Sequence, residues 1–148
     1  MKTRIAILIF LFVAAFQSCE KYPENPNAPN AIINIKINLS DPKYYDLRFD
    51  GGFMYLTSDP ESTSRGIIVY RVIDEFRAYD RLPPNNPDAC LDDHGNTTRL
   101  VVDVPFVIDN CNNIKYNILN GYIFEGDGVY GLYRYRTSFD GATLRIFN

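Results

Sequence analysis

The chain has 148 residues, a formal net charge of −3 and a pI near 5.1. An acidic chain of this kind lacks the clustered Lys and Arg that phosphate binding needs, which excludes nucleic acid as a partner. One histidine and no Gly-x-Ser-x-Gly motif leave no nucleophile, base and orienter set for hydrolysis.

The first element is a leader, residues 1–18. In "MKTRIAILIFLFVAAFQSC", Lys2 and Arg4 precede an unbroken apolar run from Ile5 to Phe16, and small and polar residues follow before Cys19. That is the layout of a signal peptide. The run is shorter than the roughly 20 residues that cross a bilayer. Ser18 and Cys19 resemble the lipobox of bacterial lipoproteins, in which a small residue precedes a cysteine that becomes the lipidated N-terminus; Phe16 and Gln17 depart from the usual Leu and small residue. The resemblance implies an exported protein held at a membrane through Cys19, at the outer membrane facing the periplasm or the cell surface. The alternative is an ordinary secretory signal cut nearby. Acyl chains contribute about 0.8 kcal/mol per buried methylene, so multiple acylation tethers a domain without crossing the membrane. Loss of Lys2 and Arg4, with no acid lost, moves the formal charge from −3 to −5.

Residues 19–30 come next. "EKYPENPNAPN" places Pro23, Pro26 and Pro29 at a three-residue spacing, which favours an extended, polyproline-like spacer holding the domain off the membrane. The remaining residues, 31–148, suit one globular unit.

From Ala31 the pattern is β. In "AIINIKINLS", Ile33, Ile35, Ile37 and Leu39 alternate with Asn34, Lys36 and Asn38, the period-two signature of a strand with one wet face. "GGFMYLT" and "RGIIVYRV" are further strands, separated by the Asp59-Pro60 turn, and "FRAYD", "TRLVVDVPFVI" and "IKYNI" continue the series. "DPKYYDL" holds at most one helical turn. Asn120-Gly121, Gly126-Asp127-Gly128 and Asp140-Gly141 are hairpin signals. The class is all-β, an antiparallel sandwich or barrel.

One stretch breaks the rhythm: "LPPNNPDACLDDHG", Leu82 to Gly95, is dominated by Pro, Asn and Asp. A loop of that length in a compact domain is usually functional. It carries Cys90, and with Cys19 lipidated only Cys90 and Cys111 remain. An exported protein meets an oxidising compartment, so these two are expected to pair.

Strand order, the "AYDRLPP" lead into the first loop, the second loop "C..IKYNILNGYIFEG" and the closing "YRTSFDGATLRIFN" together resemble a Rieske domain, in particular the Rieske-like lipoproteins of Gram-negative bacteria. The resemblance covers nearly the whole of residues 31–148. It implies an antiparallel Rieske-like sandwich or barrel with a two-loop cluster-binding region. Family members hold a [2Fe-2S] cluster with Cys-x-His in one loop and Cys-x-x-His in the other. Alignment puts Pro83 and Asn85 at the first pair of ligand positions and Asp109 and Asn112 at the second. Proline has no donor and carboxamides are poor substitutes for thiolate or imidazole, so the resemblance implies a domain that has lost its cluster. A further cysteine pair clips the two loops together in respiratory-type members. Cys111, directly before Asn112, and Cys90 match that clip, Cys90 with a small insertion.

The expected function is a cluster-free envelope lipoprotein serving as a structural or protein-interaction module, not an enzyme, with no cofactor and an envelope protein as partner. One alternative is an electron-transfer protein or oxidoreductase subunit with a [2Fe-2S] cluster held by other ligands. A second is a glycan-binding module using a platform of Tyr44, Tyr45, Tyr130, Tyr133 and Tyr135. In "LYRYR", however, alternation puts Tyr133 and Tyr135 on one face, as in half-buried structure. A zinc site of Cys90, His94 and Cys111 lacks a fourth ligand, and His94 in "DDHGN" reads as an exposed turn residue. The acid pairs Asp74-Glu75 and Asp92-Asp93 read as solvated turn charges, and Asn96-Thr97-Thr98 is a bare glycosylation acceptor pattern.

Overall fold

The computed structural model describes residues 24–57, 64–91, 93–96 and 98–148. The leader, Cys19, the Asp59-Pro60 turn, Asp92 and Thr97 lie outside the described residues. Among the described residues the protein is all-β, with ten strands in two antiparallel sheets and two short 3-10 turns.

The first sheet has six strands: β1 (Asn34–Asn38), β2 (Phe53–Leu56), β3 (Ile67–Val72), β4 (Glu75–Asp80), β9 (Arg134–Phe139) and β10 (Thr143–Phe147), in the order β1-β10-β9-β4-β3-β2. The expected alternation in the first strand holds. Ile33, Ile37 and Leu39 are buried while Asn34, Lys36 and Asn38 are exposed. Residues from both edge strands, Ile37 of β1 and Met54 and Leu56 of β2, meet in one core with Phe76, Tyr135 and Ile146. The sheet therefore curls around its own apolar face. The 3-10 turn Pro42–Arg48 lies against it through Leu47, and Asp41 caps that turn by accepting a hydrogen bond from the Lys43 N–H at 3.1 Å.

Between β4 and β9 the chain leaves this sheet and builds a second one. Its strands are β5 (Val101–Asp103), β6 (Phe106–Asp109), β7 (Ile114–Asn117) and β8 (Ile123–Glu125), each paired to the next. Val107, Ile114, Tyr116 and Ile118 pack against Ile68, Tyr70 and Tyr79 on the outer face of the first sheet. This explains the continuous apolar run in β3. Ile67 and Val69 serve one core and Ile68 and Tyr70 the other, so no face of that segment is left for polar residues.

Two expectations change. "TRLVVDVPFVI" is not one strand but the β5–β6 pair, reversed at Val104-Pro105, as proline's missing N–H disfavours continued pairing. Gly126-Asp127-Gly128 is not a hairpin turn, because β8 and β9 belong to different sheets. Asp140-Gly141 does join paired strands, β9 and β10. The Asp140 carboxylate accepts from the N–H groups of Ala142 and Thr143 at 2.9 and 2.7 Å, and these bonds hold its acidity below the usual carboxylate range.

Inside the first core one carboxylate is fully buried. Asp80 accepts from the Tyr135 hydroxyl at 2.7 Å and from the Leu82 N–H at 2.7 Å. Desolvation, reinforced by that carboxylate, pushes the Tyr135 hydroxyl above its ordinary range. These bonds fix the end of β4, where the long loop begins.

Candidate functional site

Three loops converge at the far end of the second sheet. The first, 82–95, leaves β4; the second, 110–113, joins β6 to β7; the third, 126–131, leads from β8 toward β9. Cys90 and Cys111 form the expected disulfide between the first two, with an S–S distance of 2.00 Å and Cα atoms 5.6 Å apart. Cys90 is buried, whereas Cys111 is exposed.

Three of the four positions that the resemblance aligns with cluster ligands, Asn85, Asp109 and Asn112, come together in a hydrogen-bonded plug. Pro83 and Pro84 are buried beside Asn85, which is 9% exposed. The Asn85 carboxamide uses its full capacity of two donors and two acceptor sites. Its Nδ2 donates to the Tyr116 hydroxyl at 2.9 Å and to the Tyr130 carbonyl at 2.8 Å. Its Oδ1 accepts from the N–H groups of Val129 and Tyr130 at 2.9 and 3.0 Å. Gly128 permits this approach, since a Cβ there would lie 3.0 Å from Asn85 Nδ2 and 2.9 Å from Ile114.

Asn112 and Asp109 complete the plug. Asn112 Nδ2 donates to the Asn85 carbonyl at 2.7 Å and to Asp109 Oδ2 at 2.8 Å, with the Cys90 sulfur at 3.3 Å. Buried Asp109 also accepts from the N–H groups of Cys111 and Asn112, both at 3.1 Å. A buried carboxylate in low dielectric requires such donors, and here they come from its own loop.

This donor set does not fit a two-iron, two-sulfur cluster. Both thiols are consumed in the disulfide, Pro83 has nothing to give, every polar site of Asn85 is engaged, and both Asp109 oxygens face N–H groups. The disulfide also leaves neither thiol of the Cys90, His94 and Cys111 set free for zinc, and His94 is exposed. Among the described residues no three of His, Cys, Asp and Glu gather as a metal site would require.

The tyrosines do not form one platform. Tyr135 is inside the first core and Tyr44 packs against it, while Tyr45 is exposed and packs edge-on to Phe49. Tyr133 packs against the same core, edge-on to Tyr135, and with Tyr130 and Tyr122 it is among the residues lining a groove of about 790 Å³; no sequence pattern singled out Tyr122. One wall is residues 120–122 and 130–134; the other is Glu24, Asn25, Pro26 and Ala28. That second wall, read as part of the spacer, lies against the domain: Asn25 and Asn27 donate to the Pro84 carbonyl at 3.1 and 3.4 Å, and Pro29 is buried. The one sequence signal that falls on the groove, the Asn120-Gly121 pair, reads only as a hairpin turn. Gly121 has φ +79°, and a Cβ on it would meet the Tyr79 ring at 2.9 Å. Tyr79 is fully buried with no partner for its hydroxyl among the described residues, and desolvation pushes that hydroxyl up to about 12.

No protein-family model matches the chain, and a comparison with curated proteins finds no match.

Proposed function

We propose that the chain is a cluster-free, Rieske-like lipoprotein of a bacterial envelope, anchored through Cys19 and acting as an interaction module. The observation that carries this reading is the plug. Asn85, Asp109 and Asn112 spend their polar atoms on one another and on the adjoining backbone, where the resemblance places metal ligands. The arrangement of the loops supports it. The first follows β4 and the second joins β6 to β7, in the order the resemblance implies, and the disulfide clips them as in respiratory-type members.

Such a site does no redox chemistry through iron; it stiffens a loop cluster. A disulfide, a satisfied carboxamide and a buried carboxylate hold three loops in one geometry, which lowers the entropic cost of presenting a surface to a partner. Interaction surfaces placed on loops over a rigid β scaffold work on this principle.

The test is direct. Protein purified anaerobically from its natural host is expected to be colourless, free of stoichiometric iron and sulfide, and normally folded. Visible absorption bands with a Rieske-type electron paramagnetic resonance spectrum would overturn the reading and restore an electron-transfer role.

A further inference from the structure

The groove beside the plug has the chemistry of a sugar site. Tyr122, 51% exposed, and the partly buried Tyr130 and Tyr133 are among its lining residues, Tyr133 with its ring edge-on to Tyr135 of the first core. At the rim stand Glu24, Asn120 and Arg134. The one carboxylate and the one guanidinium balance, and neither forms an ion pair among the described residues. A groove of about 790 Å³ falls within the roughly 300–1,000 Å³ of small-ligand sites.

We propose that this groove binds a neutral oligosaccharide, with Tyr122 as the stacking platform and Glu24, Asn120 and Arg134 as hydroxyl partners. A pyranose has one apolar C–H face, which suits an aromatic ring, and a rim of hydroxyls that both donate and accept. Carboxylate, carboxamide and guanidinium groups at the edge of an aromatic floor answer both halves. Tyrosine supplies this contact at low entropic cost. A charged glycan would meet no net opposite charge here.

The plug explains how the groove is held. Asn85 pins the Val129–Tyr130 backbone on one side through three bonds, and the neighbouring Pro84 carbonyl receives Asn25 and Asn27 on the other. The first loop thus acts as a keystone for both walls, and Asn85 is a positioning residue for the site. The inference rests on reading the chain as an interaction module and names its ligand class. The two fail separately, since bound iron and sulfide would remove that reading whatever the sugars do.

The probes are maltohexaose, cellohexaose and hexa-N-acetylchitohexaose, titrated into the full mature chain and followed by calorimetry and by NMR of the tyrosine resonances. At least one is expected to shift Tyr122, Tyr130 and Tyr133 together. Tyr122→Ala, at an exposed position, should keep the melting temperature and weaken that binding about tenfold, the effect of one lost aromatic contact. Arg134→Ala tests the rim with the same expected sign. Asn85→Ala is expected to weaken binding while broadening the Tyr130 signal, a readout that distinguishes positioning from direct contact. No shift from any of the three sugars at millimolar concentration overturns the proposal. So does binding that survives both Tyr122→Ala and Arg134→Ala, or a groove that answers to an extended peptide mixture and to no sugar.

Discussion

Two buried polar side chains show how differently one fold can treat its residues. Asn85 makes four hydrogen bonds, while the Tyr79 hydroxyl has no partner among the described residues. An unmet buried hydroxyl costs about 1–3 kcal/mol, so Tyr79→Phe is expected to raise neutral-pH stability by about 1 kcal/mol. Its ionisation carries a pH signature. The unfolded hydroxyl titrates near 10 and the folded one near 12. Between those values the unfolded chain releases a proton that the folded protein keeps, so stability falls as pH rises, by about 1.4 kcal/mol per unit. Tyr135, raised in the same direction, adds to the loss and stays in the variant. Denaturant titrations across that range should therefore show a shallower decline for Tyr79→Phe; an unchanged slope would mean that water reaches the hydroxyl. Neither residue's situation was legible in the sequence. The side-chain partners of Asn85 lie 31 to 45 positions away, and a carboxamide reads the same whether it is a turn residue or a keystone.

At the level of elements, what could be read was periodicity. The alternation of β1 and of β9–β10 survives folding because each of these strands keeps one wet face. Between Thr98 and Ile108 the same logic misled: a run rich in Val hid a reversal, because apolar content says nothing about direction and only Pro105 hinted at it. The cysteine pair was legible from chemistry, since compartment and count left few options. Its consequence is measurable. The bridge closes a loop with a separation of 21 residues, which in the chain-entropy model stabilises the fold by about 3 kcal/mol. Cys90→Ser is expected to lower the melting temperature in oxidising buffer and to match the wild type once reductant is present. Equal losses with and without reductant would argue that the bridge is not formed in solution.

For the molecule as a whole, the two cores share β3 and β4 as a common layer, so the loop cluster stands on the most deeply buried strands of the fold. The proposed membrane attachment belongs to this scale as well. Cys19→Ala is expected to move the protein from the membrane fraction to the soluble fraction of cells; retention in membranes would contradict the proposed anchor. The docking of Asn25 and Asn27 on Pro84 then sets how far the leash can pay out. With acyl chains on Cys19, five peptide steps separate the bilayer from Glu24, at most about 18 Å when fully stretched. The disulfide end of the molecule would ride just above the headgroups, and whatever settles beside Tyr122 would be met within the crowded skin of the envelope instead of in open fluid.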